Sequence, residues 1–195
     1  MHRKPQILIT PGTWFIGALM LLILPLNWLL AAASAAFFHE LCHYFALRLC
    51  AVPVYRIQIS GRGAVMDTAP MGLRQEFFCA LTGPLGGLCL LPFLRWIPRI
   101  AICAGVQSLY NLLPVYPLDG GRALRCIVLR YLPADKAAYL LIWTSRIFLS
   151  GILLLGLLAA VKYHLGLLPL VVAIILCIRS KNRKIPCKEE QLQVQ

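Results

Sequence analysis

The sequence predicts an all-α polytopic membrane protein of about six transmembrane helices, with a short β-hairpin or re-entrant loop after the second. Three observations carry that expectation. Hydrophobic residues fill 60% of the 195 positions and charged residues only 13%, against about 45–50% and about 25% in ordinary soluble usage. The apolar residues come in runs near the roughly 20 residues that cross a hydrocarbon core of about 30 Å. The basic residues sit at the ends of those runs, as topology signals do.

Residues 6–24 supply a first span, with Pro11 and Gly12 near its start, and Pro25-Leu26-Asn27 supplies a tight turn. Residues 28–48 form a second span; the alternative is one long tilted helix over 14–38. Residues 51–72 hold Pro53, Gly61, Gly63, Pro70 and the alternating stretch Val54-Tyr55-Arg56-Ile57-Gln58-Ile59. That pattern reads as a hairpin or re-entrant loop and not as a helix. Residues 77–94 give a third span and 100–114 a short fourth. Residues 115–131 hold Pro117, Asp119 and Gly120-Gly121 before a basic amphipathic helix. Spans over 137–161 and 163–178 complete six, and the tail from Arg179 is polar. The expected organisation is one membrane-embedded domain over 1–180 and a tail over 181–195, without internal repeats.

Charge placement favours six spans over five. With six, both termini share a side with the loops after Arg48 and Asp119, and that side collects fifteen of the 19 lysines and arginines. Arg95, Arg99 and Lys162 lie on the other side, and Arg146 falls mid-helix. Such asymmetry is the positive-inside pattern, and it places both termini in the cytoplasm. The net charge of +12 therefore points to a lipid bilayer and not to nucleic acid. The eight cysteines form no C-x-x-C pair and no disulfide framework. The start resembles a signal peptide, His2-Arg3-Lys4 then an apolar run ending in Ala31-Ala32-Ala33-Ser34-Ala35. That run far exceeds the usual ~7–15 residues, so an uncleaved span is expected.

The chemistry gathers at Phe38-His39-Glu40-Leu41-Cys42-His43, an H-E-x-x-H signature in which Glu40 is the only acidic residue between Gln6 and Ala46. A carboxylate within a membrane span costs roughly 2.5–3.5 kcal/mol even on lenient insertion scales, which marks a functional site. On a helix His39 and His43 face the same way one turn apart. They can hold one zinc ion, with Glu40 placed to act on the water it activates. Cys42 points elsewhere and is expected to pack. A catalytic zinc takes three protein ligands and keeps a fourth position open. Asp119 is the best third candidate, because Pro114 and Pro117 stop the preceding helix and Gly120-Gly121 allow close backbone approach. Alone, Asp119 reads as an ordinary turn carboxylate, and H-E-x-x-H alone is short enough to arise by chance. Together they support each other.

Phe37-Phe38-His39-Glu40-Leu41-Cys42-His43 and Asn111-Leu112-Leu113-Pro114-Val115-Tyr116-Pro117-Leu118-Asp119-Gly120-Gly121, with Leu81-Thr82-Gly83-Pro84 between them, resemble the site-2 protease family of intramembrane zinc metalloproteases (peptidase family M50). The resemblance runs over about residues 7–178 and is nearest the stage IV sporulation protein FB-like branch. It implies that His39, His43 and Asp119 bind Zn2+, that Glu40 is general base and acid, and that Asn111 orients substrate. It also implies regulated intramembrane proteolysis near the cytoplasmic face. The substrate class is a membrane-tethered protein such as a transcription-factor precursor, and a membrane regulatory partner belongs to the same picture. The chain ends soon after the sixth expected span, so a C-terminal cystathionine-β-synthase-type domain is not expected within it, nor is an inserted PDZ domain.

The stretch 54–65 could pair with an unwound substrate strand. Gly83 to Gly87 has the G-x-x-x-G spacing of close helix contact, read here as packing within the bundle. Trp14, Trp28 and Trp96 suit interface anchors, Arg122, Arg125 and Arg130 suit anionic headgroups, and Arg146 must pair or snorkel. Two rival functions remain in view. One is a cation transporter using the same His/Glu/Asp cluster, though the inverted repeats usual in transporters are not visible. The other is an inactive membrane scaffold, which would be free to lose Glu40.

Overall fold

A computed structural model describes residues 6–60 and 63–162. The expected sixth span and polar tail lie outside the described residues. The chain divides into two compact units, residues 1–110 and 111–195.

The first unit opens with strand β1 (Gln6–Ile9), then helices α1 (Pro11–Ile23) and α2 (Leu26–Leu49), strands β2 (Val54–Ser60) and β3 (Gly63–Thr68), and helices α3 (Leu73–Leu88) and α4 (Pro98–Asn111). A 3-10 turn over Leu91–Arg95 follows α3. Prolines set the first boundaries. A residue before proline is pushed out of the helical region, and Thr10 (ψ 149°) and Leu24 (ψ 140°) are both extended. Pro11 then fits the first helical turn, where its missing N–H costs nothing. Residues 6–9 therefore pair as a strand instead of opening a span as expected, which leaves α1 only 13 residues. The break at Pro25 also removes the alternative of one helix over 14–38.

The hairpin expected after α2 is present, enlarged into a mixed three-stranded sheet of order β1-β2-β3, parallel between β1 and β2 and antiparallel between β2 and β3. The fold is thus helical with a small sheet, not all-α. Register puts Ile7, Ile57 and Met66 on one face with Ile9, Ile59 and Ala64, and puts Gln6, Arg56 and Asp67 on the other. Since β2 is central, open edges among the described residues belong to β1 and β3, not to the whole stretch 54–65.

The turn from α2 into β2 is a Schellman motif. Val52 N–H donates to Leu47 O (2.9 Å) and Ala51 N–H to Arg48 O (3.1 Å), with Ala51 at φ 55° where glycine is usual. The accompanying apolar contact is the core cluster of Ala46, Leu47, Val52 and Cys79, joined by Val54 and Met66. Gln75 ties α3 to the same place, accepting from Gly72 N–H at 3.0 Å and donating to Cys50 O at 3.3 Å. The end of α2, the sheet and the start of α3 are locked together, which explains why α3 begins before residue 77.

The second unit contains α5 (Asp119–Tyr131) and α6 (Ala134–Lys162), packed on each other. The expected amphipathic helix is α5, but Arg125 is 1% exposed. It lies on the face that buries Ala123, Cys126, Val128 and Leu129, so only Arg122 and Arg130 remain for headgroups. Arg146 on α6 stacks over Trp143, 5.8 Å from the ring centroid. Among the described residues two helical segments, Leu73–Arg95 and Ala134–Leu158, are long and apolar enough to cross a membrane. With 24 residues α2 is long enough, but His39, Glu40, His43 and Arg48 dilute its apolar character.

Two substitutions test these turns by thermal unfolding in detergent. A Cβ on Gly120 would overlap the backbone of Leu112 and Leu113, which cannot swing aside. Gly120→Ala should therefore cost about 3 kcal/mol, the upper end of overpacking penalties. Ala51→Gly should stabilise by about 1 kcal/mol, relieving the left-handed alanine.

Candidate metal centre

Along α2 the buried positions Ala31, Ala35 and His39 repeat every four residues, and His43 continues the stripe. His43 lies where α2 packs on α3, and the rings of the two histidines meet edge to face. His39 is 3% exposed. The ring centroids lie 4.7 Å apart at an interplanar angle of 82°, and the two Nε2 atoms are 3.1 Å apart. Nitrogens bound to one tetrahedral ion at about 2.0–2.1 Å would stand roughly 3.3 Å apart. The pair is therefore set for a shared cation.

The other ring nitrogen of His43 fixes that arrangement. Nδ1 lies 2.7 Å from the carbonyl oxygen of Cys79 on α3. A carbonyl only accepts, so Nδ1 carries the proton and Nε2 keeps its lone pair. Glu40 is half-buried on the adjoining flank of α2, one residue from His39. Cys42 packs against Gly86, as expected of a cysteine turned away from the histidine stripe.

Asp119 is the first residue of α5, following Leu118 in extended conformation (ψ 163°). Its side chain is 14% exposed, and Arg122 Nη1 approaches its Oδ1 at 4.0 Å one turn along. The loop before it is pinned within its own unit. Tyr116 N–H donates to Ser145 Oγ at 3.2 Å, and Leu118 N–H donates to Val115 O at 2.8 Å. Gly120 and Gly121 lie against the backbones of Leu112 and Val115, the close approach that the paired glycines predict. Val115 and Leu118 are buried. Asn111 ends α4 and is half-buried.

One ligand atom from each of His39, His43 and Asp119 lies within 4.8 Å of the others, a group that could hold a metal ion. Sequence reasoning named all three. It missed the Cys79 carbonyl, because a backbone acceptor leaves no mark in a residue string, and it missed the burial of Glu76 at 8% exposure.

A dihistidine-carboxylate centre on a helix-rich fold with membrane-length segments defines a class, and two comparisons narrow it. No family model matches the chain. Stage IV sporulation protein FB of Bacillus subtilis (strain 168) is 29% identical over 160 residues, 73% of this chain and 54% of that protein. The chain thus spans about half the length of that relative. The solved site-2 protease from Methanocaldococcus jannaschii superposes with a TM-score of 0.65, covering 92% of each chain at 19% identity, a likeness of fold. The first is a likeness of sequence and the second a likeness of fold.

If the histidine pair grips the ion, His39→Ala and His43→Ala should each weaken metal binding by more than about 100-fold, beyond the 10–100-fold that loss of a supporting partner costs. Cys42→Ala should leave it unchanged. Metal analysis of protein dialysed against a metal buffer checks all three.

Proposed function

We propose that the chain is an intramembrane zinc metalloendopeptidase that cuts membrane-tethered proteins near the cytoplasmic face. The observation that carries this reading is the pair of imidazole Nε2 atoms 3.1 Å apart on α2, with Asp119 within reach of both. Two neutral imidazoles and one carboxylate leave a zinc ion net positive. When bound, it supplies Lewis acidity that polarises a carbonyl and acidifies water.

The chain's own residues account for the rest. Glu40 takes the proton from the attacking water and returns it to the leaving amine. Asn111 donates to the oxygen where negative charge develops. A peptide bond in a helix is shielded by its own hydrogen bonds, so substrate must unwind locally first. The open edge of β3 can pair with the released strand, backbone to backbone.

The same proposal takes six spans with both termini in the cytoplasm, supported by the clustering of fifteen basic residues on one side. Substrates are taken to be membrane-tethered precursors, including transcription-factor precursors, under control of a membrane partner. The relative's name ties that protein to sporulation, which suits a regulated cut over general degradation.

Cleavage of a single-span reporter, measured beside zinc content, tests the assignment. Glu40→Gln should abolish cleavage with zinc retained, whereas Asp119→Ala should lower both. Asn111→Ala should slow cleavage by about 10²–10³-fold, as loss of an oxyanion donor does, with zinc retained. Cleavage by Glu40→Gln at the wild-type rate would overturn the mechanism. Ion transport without proteolysis would favour the transporter.

A further inference from the structure

We propose that one turn of α3, from Cys79 to Gly83, is the positioning element of the metal centre. Gly83 opens the space that the His43 ring occupies, and the Cys79 carbonyl sets which ring nitrogen faces His39. This inference rests on the metalloprotease reading and deepens it, since neither residue is among the proposed ligands His39, His43 and Asp119.

The geometry is specific. A Cβ on Gly83 would overlap Nε2, Cε1 and Cδ2 of His43, the edge of the ring that presents the lone pair. The opposite edge is held by the 2.7 Å bond from Nδ1 to Cys79 O. One turn of backbone thus touches His43 on both sides. Any added atom at 83 must turn or shift the ring, and either motion breaks the Nδ1 bond or moves Nε2 away from His39. Pro84 adds to this, because it has no N–H for the carbonyl four residues back and loosens the helical ladder beside Cys79.

The same helix carries its own controls. A Cβ on Gly86 would meet Cys42, and one on Gly87 would meet Ser108 and Ala104, none of which is a ligand. Gly83, Gly86 and Gly87 are alike in chemistry and in the helix propensity that alanine would add. They differ in which neighbour is displaced, so a generic packing role predicts equal effects and a positioning role predicts one outlier.

Cobalt(II) titration of full-length protein in detergent, followed by the ligand-field absorption bands, reads affinity and coordination geometry without any turnover. Wild type and Gly86→Ala should give the same bands and the same affinity. Gly83→Ala should bind about 10–100-fold more weakly, as expected when support for a ligand is lost, and with altered bands. Equal behaviour of the 83 and 86 variants would overturn the proposal, as would wild-type binding by Gly83→Ala. Should Gly83→Ala fail to fold, nitrogen NMR of histidine-labelled, metal-free wild type decides instead. A proton on Nδ1 of His43 supports the proposal, and a proton on Nε2 sinks it. Failure of the underlying reading has its own signature, a wild type that binds no cobalt, or a His43→Ala variant that binds it equally well.

Discussion

Two imidazole nitrogens held 3.1 Å apart on consecutive turns of one helix are the constraint on which the rest of the first unit depends. A proton on His39 Nε2 or a shared cation can bridge the two atoms at that distance, and the backbone around them also holds the rings in place. It does so with small residues. Gly83 and Gly86 on α3 let α2 approach until the side chains of His43 and Cys42 meet the α3 backbone, and Gly87 does the same for Ser108 on α4. Small residues serve this purpose especially well in a membrane, where helix association has no hydrophobic drive and relies on close packing.

The sheet and the end of α2 complete the arrangement. The Schellman turn at Ala51 reverses the chain so that β2 starts beside the helix it left. Gln75 then joins the last turn of α2 to the first of α3 through Cys50 O. Helix approach at His43 is thus fixed at one end by this knot and further along by the contact with Gly83. A hinge at either place would reach His43, whose two ring edges both rest on α3.

Much of this was legible in the chain. His39, Glu40, His43 and Asp119 stood out because few charged residues interrupt so apolar a sequence. Paired glycines and prolines marked the loop before Asp119 for the same physical reason they build it. Helix α6 and the amphipathic α5 followed from length and periodicity. Strand β1 did not, since Gln6-Ile7-Leu8-Ile9 looks like the start of an apolar span. Only pairing with β2, some fifty residues away, makes it a strand. Arg125 was misplaced for a related reason, because composition cannot say which arginine of a basic helix turns inward. The Cys79 carbonyl was beyond reach altogether, as every residue has one.

The placement of Glu40 shows how the two faces of α2 are reconciled. Phe37, Phe45 and Leu49 are broadly exposed on the outer face at 70%, 57% and 79%, suited to lipid. The inner stripe carries both histidines and adjoins Glu40. A carboxylate in such a helix costs a few kcal/mol wherever it sits, so its cheapest position is beside other polar groups and any bound cation. That position is also where a proton acceptor is useful. Under the proposed reading, membrane insertion and catalysis therefore ask for the same residue in the same place, and the H-E-x-x-H spacing would satisfy both with one helical turn.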